Sequence, residues 1–144
     1  METRNPGYRE MVERVFRQAG FVRDLGVELA DVGPGWCETT LAIGPRHLQQ
    51  DGLVHAGVQA TLGDHTAGAA AATLVAANEY VLTLEFKINL WRAARGTQLV
   101  CRGEVVKPGK SFSFVESSVF VVHADRREQV SSVLATIAVL ERPK

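Results

Sequence analysis

The spacing of apolar residues along the chain predicts a short helix, two strands, a long helix and four further strands. Residues 8–19 carry apolar side chains at helical spacing, and Gly20 is expected to end this first helix. Two short strands are expected at residues 25–32 and 36–43, on either side of a turn at residues 33–35. The chain is therefore expected to begin as a helix followed by a β-hairpin.

The most distinctive segment covers residues 56–77. It is rich in alanine, lacks proline and carries almost no charge. Alanine has the highest helix propensity, and a helix that is apolar on all sides is usually buried. We therefore predict one buried helix over the whole segment, with a length of roughly 33 Å at ~1.5 Å per residue.

Residues 81–91 alternate between apolar and polar side chains, which is the pattern of an antiparallel strand with one covered face. One face is expected to carry Leu82, Leu84, Phe86, Ile88 and Leu90, and the other Thr83, Glu85, Lys87 and Asn89. Three more strands are expected at residues 99–106, 112–122 and 130–140. Strands segregated from helices in this way indicate an α+β fold, with the long helix packed on one face of an antiparallel sheet.

Composition and charge exclude several classes of function. The length of 144 residues suits one domain, and the 16 basic residues balance the 16 acidic ones. A nucleic-acid or membrane-surface binder would need a basic excess. The N-terminus has no apolar targeting segment, and the apolar run over residues 66–77 is too short to span a bilayer. These features predict a cytoplasmic protein that binds neither nucleic acid nor membrane.

The two cysteines, Cys37 and Cys101, lie in separate predicted strands and are expected to be buried free thiols. The four histidines form no ligand spacing with them, so no metal site is expected.

Asp64 is the most unusual residue of the long predicted helix. No basic residue lies within one turn on either side to neutralise it. A buried, unpaired carboxylate costs several kcal/mol or becomes protonated, which favours a functional role. The alternative is an aspartate that reaches a backbone donor or solvent at the helix edge. The adjacent His65 points about 100° away around the helix, so we expect it to pack in the core or at an interface.

His55, Ala56 and Gly57 mark the start of the same helix. The N–H groups of a first turn have no partners within the helix, and they lie at the positive end of its dipole. Such a terminus can stabilise an oxyanion, and the small side chains here would leave room for a carbonyl group. By itself, His55 would more often be a helix cap or a loop-packing residue than an acid or base.

Together these residues resemble the signature of a known family, the hotdog-fold thioesterases of the phenylacetic-acid-degradation type. The matching residues read His55-x-Gly57-x-x-x-x-Leu62-x-Asp64-x-x-x-Gly68-x-Ala70-Ala71. The resemblance continues through residues 86–96 and 105–111, with the segments in the family's order. It implies a hotdog core at residues 25–142, in which the sheet wraps the central helix, after a helical segment at residues 1–24. It also implies homodimers whose sheets join edge to edge, with a dimer of dimers expected.

The resemblance implies a role for each matching residue. Asp64 stands at the position of the family's catalytic carboxylate. Ala56, with Gly57 beside it, stands where a backbone N–H polarises the thioester carbonyl, and His55 joins these catalytic candidates. Gln49 matches a polar residue expected to orient the water or the thioester. Positions that hold CoA phosphates in related proteins fall on Arg92, Arg95, Lys107, Lys110 and Ser111, although each basic residue alone could equally be a solvated turn residue.

These expectations combine into hydrolysis of an acyl-CoA thioester without a cofactor. Asp64 would act as a general base on water or as a nucleophile, and the sequence leaves both routes open. Two alternatives also stay open. One is a hotdog enoyl-CoA hydratase or β-hydroxyacyl dehydratase using His55 or His47, and the other is a non-catalytic acyl-CoA-binding protein of the same fold.

The spacing of Ala56 and Asp64 adds a geometric constraint. The two residues are eight positions apart, which is roughly 12 Å along a helix axis. Both must act near one thioester carbon, with the oxyanion donor about 3 Å from the oxygen. One rigid helix can hardly present both groups there, so we expect a site shared between two antiparallel copies of the chain.

Overall fold

The computed structural model describes residues 1–143, in which an antiparallel sheet of six strands packs against one central helix. The helices are α1 (Tyr8–Gln18), α2 (Gly20–Leu25) and α3 (Ala56–Ala72), and a single 3₁₀ turn covers Pro45–His47. The strands are β1 (Val27–Gly33), β2 (Trp36–Ala42), β3 (Glu79–Leu90), β4 (Gln98–Lys107), β5 (Phe112–His123) and β6 (Arg126–Glu141). Their order is β1-β2-β4-β5-β6-β3, so β1 and β3 form the edges. The predicted α+β class is confirmed.

The core lies between α3 and the inner face of the sheet. Leu62, Ala67 and Ala70 of α3 are fully buried against apolar strand residues, which include Leu99, Cys101, Val119, Val133 and Ile137. The approach is close because Gly103 of β4 lies beneath the helix, where an added Cβ atom would come within 2.9 Å of the Thr66 carbonyl oxygen. Small residues therefore fix the distance between helix and sheet.

The α3 helix ends at Ala72, so the prediction that it continues to residue 77 is wrong. The buried Thr73 hydroxyl donates to the Ala70 carbonyl at 2.7 Å and accepts the Gly35 N–H at 2.8 Å. These bonds tie the end of the helix to the β1–β2 turn. At 17 residues, α3 is about 25 Å long. No helix among residues 1–143 is long and apolar enough to cross a membrane.

The N-terminal helix is confirmed, but Gly20 does not end the helical region as predicted. The backbone of Ala19 leaves helical geometry at ψ 84°, and α2 starts immediately afterwards at Gly20. Gly26, with φ 90°, supplies the left-handed residue that ends α2, and β1 therefore begins only at Val27.

A β-bulge at Leu84 changes the faces of β3. Thr83 pairs with Ile137, whereas Glu85 pairs with Thr136, so Leu84 is an extra residue in the strand. Directly paired residues share a face, and the buried partners on β6 mark the inner one. The inner face of β3 therefore carries Val81, Thr83, Phe86, Ile88 and Leu90. The predicted single apolar face is wrong for the first half of the strand, because one inserted residue inverts the alternation.

The cysteines are free and buried, as predicted. Burial raises the pKa of the Cys37 and Cys101 thiols to about 12. Since the thiolate is the reactive form of cysteine, neither side chain is a nucleophile near neutral pH.

We predict that Gly103→Ala destabilises the protein by about 1–3 kcal/mol, since the new methyl group would press on the helix backbone. Gly68→Ala is the matched control, because a Cβ atom at Gly68 meets no atom within 4 Å. It should stabilise the protein by roughly 0.5–1 kcal/mol through helix propensity. Urea unfolding of the two variants and the wild type measures both effects. Equal stabilities would contradict the close packing of α3 on β4.

Candidate active site

His55 caps the first turn of α3, the role that its sequence position left open. Its ring Nδ1 accepts a hydrogen bond from the Gly57 N–H at 2.8 Å. The backbone N–H of His55 donates to the His47 carbonyl at 2.8 Å. The Gly57 N–H is therefore engaged within the chain. The Ala56 N–H has no acceptor within residues 1–143. Of the two predicted oxyanion residues, Ala56 is the one whose N–H is free for a ligand.

An open pocket of about 520 Å³ lies in front of this helix start, and we call it the helix-start pocket. Its lining brings together four of the predicted site residues, Gln49, His55, Ala56 and Arg92. Trp91 and Ala94, from the segment that follows β3, complete the wall on the side of Arg92. The Arg92 guanidinium contacts the Glu128 carboxylate at 2.8 Å, and both side chains are more than half exposed.

The Gln49 side chain is held by its own loop. Its Oε1 accepts hydrogen bonds from the N–H groups of Asp51 and Leu53, and its Nε2 lies 3.5 Å from the Asp51 carboxylate. The amide is thus fixed in orientation at the rim of the helix-start pocket.

Gln59 is a lining residue that the sequence analysis missed. Its side chain is only 3% exposed, and its Oε1 has no hydrogen-bond partner in the described part of the chain. A buried amide oxygen without a partner is unfavourable, so such groups usually bind a water molecule or a ligand. The signal was present, because Gln59 is a long polar residue one turn after Ala56 in the alanine-rich segment.

Asp64 lies in a different pocket of about 360 Å³ between α1, α3 and β3, which we call the carboxylate pocket. Its Oδ1 accepts a hydrogen bond from the Thr83 hydroxyl at 2.8 Å. The carboxylate is half-buried, and none of the ion pairs among residues 1–143 includes it. The bulge at Leu84 makes this contact possible, because it turns Thr83 to the inner face of the sheet.

The adjacent His65 is a packing residue, as predicted. Its ring meets the Phe16 ring edge-on, with 4.6 Å between the centroids. Burial lowers the pKa of the imidazole below its ordinary value, although the charge of Asp64 acts in the opposite direction. His65 is therefore neutral near pH 7 and does not pair with Asp64.

Within one protomer the two pockets are separate. They share no lining residue, and both are built on the same rigid helix. Ala56 and Asp64 therefore stay roughly 12 Å apart along the helix axis, with no common cavity between them. One chain does not bring the carboxylate and the free N–H together.

The predicted CoA-binding residues are all exposed and form two groups. Arg92 and Arg95 lie beside the start of α3, where the Val54 N–H donates to the intervening Ala94 carbonyl at 3.0 Å. Lys107 ends β4, and Lys110 and Ser111 follow it in the β4–β5 turn, which approaches the chain just beyond the opposite end of α3. A single protomer does not unite these groups. Within residues 1–143, no three His, Cys, Asp or Glu side chains converge on a possible metal position.

Comparison with known proteins gives consistent matches. A family model described as the thioesterase superfamily matches residues 51–126. The crystal structure of a thioesterase family protein from Silicibacter pomeroyi is 30% identical with a TM-score of 0.92, covering 94% of this chain and 99% of that one. A 1,4-dihydroxy-2-naphthoyl-CoA hydrolase from Listeria monocytogenes is 26% identical over 126 residues, which are 87% of this chain and 99% of the hydrolase. A Haemophilus influenzae protein named as an esterase is 26% identical over 90 residues, 62% of this chain and 65% of the esterase.

Proposed function

The chain belongs to the thioesterase superfamily, and we propose that it hydrolyses acyl-CoA to the free acid and CoA at a site shared by two copies. One observation carries this proposal. A half-buried carboxylate held by Thr83 and a free N–H at Ala56 lie on one rigid helix but face different pockets. Two helices related by a two-fold axis would place each Asp64 opposite the other copy's Ala56.

In the proposed reaction, the Ala56 N–H donates to the thioester oxygen as negative charge builds on it. An oxyanion donor of this kind is worth roughly 3 to 4 kcal/mol. Thr83 binds Oδ1 of Asp64, whereas Oδ2 accepts no hydrogen bond within the described residues, which leaves it available to the reaction. Asp64 removes a proton from water as the water oxygen attacks the carbon, and the C–S bond then breaks to release the CoA thiolate. Direct attack by Asp64 to give an anhydride is the other route.

The same two-fold arrangement supports CoA as the leaving group. In antiparallel helices, the end of one α3 lies near the start of the other. The turn with Lys107, Lys110 and Ser111 from one copy would then approach Arg92 and Arg95 of the other. Clustered cations suit the phosphates of CoA, since charge-assisted bonds to phosphate are strong. The name of the Listeria relative, a CoA thioester hydrolase, is consistent with this substrate class.

The exposed edge of β3 supports the dimer itself. This strand is 12 residues long, and the free edge of the sheet carries the exposed side chains of Leu82, Leu84 and Phe86. A long apolar edge strand is a template for pairing with another strand, and native proteins seldom leave one uncovered. We therefore propose that β3 pairs with β3 of a second copy.

A second apolar surface supports a dimer of dimers. Val106, Phe112, Phe114 and Leu134 are each about half exposed on the outer face of the sheet. Glu85, Lys87 and Glu116 surround part of this patch. Exposed apolar groups clustered in this way mark contact surfaces, and mixed charges at the rim can pair across a two-fold axis.

The structure gives less support to a hydratase. That chemistry needs a histidine free to exchange a proton with the substrate. The Nδ1 of His55 is engaged in the helix cap, which leaves only Nε2 for a substrate, and both nitrogens of the buried His47 are engaged, by the Gly44 N–H and the Leu25 carbonyl. An acyl-CoA-binding protein without activity would have no need of a positioned carboxylate.

We predict that Asp64→Asn keeps the fold and lowers acyl-CoA hydrolysis at least about a hundredfold, the lower range for losing a positioned general base. Thr83→Val should lower it roughly ten- to a hundredfold, since a hydrogen bond to a charged group is worth about 1.5–3 kcal/mol. Thr83→Ser keeps the hydroxyl and should retain most activity. Release of free thiol from acyl-CoA measures all three.

Asp24→Asn, at an exposed site in α2, is the control for these variants. Wild-type turnover by a folded Asp64→Asn protein would rule out Asp64 as the catalytic carboxylate. Equal loss in Thr83→Val and Thr83→Ser would rule out positioning through the hydroxyl.

We also predict that Leu84→Lys produces an inactive monomer. Leu84 is 54% exposed on the β3 edge, so the charge should spare the protomer and prevent strand pairing. Val106→Lys, on the outer face, should at most separate a dimer of dimers into active dimers. Sedimentation velocity and thiol release on the same samples measure both properties. A monomeric Leu84→Lys protein with normal turnover would contradict the shared site.

A further inference from the structure

We propose that the carboxylate pocket holds the acyl group of the substrate and that α1 limits the length of that group. This inference rests on the proposed thioesterase function and adds a substrate class, apolar acyl chains of medium length. The relevant observations are the lining of the pocket, its size and the way α1 is attached to the core.

The walls of the carboxylate pocket are mainly apolar. They are formed by Met11, Val12, Val15, Ala69, Ala72, Val75 and Val81. Asp64 and Thr83 lie in the same cavity, so a group that enters it stands next to the reacting carboxylate. An alkyl chain gains free energy by leaving water for such walls, whereas the phosphates of CoA would lose their hydration there. The lining therefore favours the acyl group of the thioester over the CoA group.

The size of the pocket indicates a limited chain length. Within one protomer its volume is about 360 Å³, near the lower end of the range for ligand pockets, about 300–1,000 Å³. A long fatty acyl chain would extend beyond it, and an acetyl group would leave most of it unfilled. Medium chains match the volume.

The α1 wall is fixed in place by its buried residues. Val12 is fully buried, and Phe16 packs on the His65 ring, so the helix is anchored to α3. Met11 is half-buried and Val15 is 39% exposed, and both line the cavity. Larger side chains at these two positions would take up space in the pocket.

This wall lies outside the part of the chain that matches the family model. The matched residues, 51–126, include Asp64 and Thr83 but not α1. Asp64 and Thr83 thus lie in the matched segment. The helix that limits the length of the acyl group, α1, lies outside it.

The test is the profile of kcat/KM over straight-chain acyl-CoAs from acetyl to palmitoyl. Wild type should show a maximum at medium length. Met11→Trp and Val15→Trp should move that maximum to shorter chains and lower the ratio of decanoyl-CoA to butanoyl-CoA turnover at least about tenfold. Val15→Ala should move it to longer chains. Arg14→Trp places the same bulk on an exposed position of α1 that does not line the pocket, and it should leave the profile unchanged.

Three results would overturn the inference. Unchanged profiles in Val15→Trp and Val15→Ala, with normal folding and normal total activity, would remove α1 from the acyl site while leaving the thioesterase function intact. A preference for an acyl-CoA of the same length that ends in a carboxylate would replace the apolar class, with Arg142 at the pocket as its partner. Hydrolysis of no acyl-CoA by the wild type would instead overturn the proposed function, and this inference with it.

Discussion

The rigidity of α3 on the sheet is the constraint on which the proposed site depends. Gly103 allows the helix backbone to lie almost against β4, and the fully buried Leu62, Ala67 and Ala70 fix its rotation. A helix held in this way cannot bend to bring its first turn and Asp64 to one atom. The free Ala56 N–H and the carboxylate must therefore act in different sites or in a site completed by a second helix. The exposed apolar edge of β3 favours the second arrangement.

The bulge at Leu84 affects both the edge of the sheet and the surroundings of Asp64. One extra residue turns Thr83 toward Asp64 and leaves Leu84 exposed on the edge of β3. The same local irregularity thus positions the carboxylate and shapes the surface that would meet a second copy. Bulges often occur next to active sites, where they redirect a side chain.

Much of this architecture could be predicted from the sequence because its signals are local. The alanine-rich run marked the start of α3, and the lack of a basic residue within one turn of Asp64 marked it as a candidate site residue. Two of the errors involve partners that are distant in sequence, whereas the break at Ala19 and the restart of the helix at Gly20 are local. The helix ends at Ala72 because Thr73 bonds to Gly35, 38 residues away, and composition continues to favour a helix beyond that point. Thr83 faces Asp64 only because of the bulge, which strict alternation could not reveal. The hydrogen bond between His55 and Gly57, two residues apart, is local, and the sequence already indicated His55 as a possible helix cap.

The central claim is that each site takes its N–H from one copy and its carboxylate from the other. Co-refolding of Asp64→Asn with Ala56→Pro tests it directly. Proline fits the first position of a helix and has no N–H to donate. Each variant alone should be nearly inactive. An equal mixture should recover about a quarter of wild-type activity, because half of the dimers are mixed and each mixed dimer has one intact site. No recovery in a sample with confirmed mixed dimers would show that both groups act within one subunit, and would contradict the account.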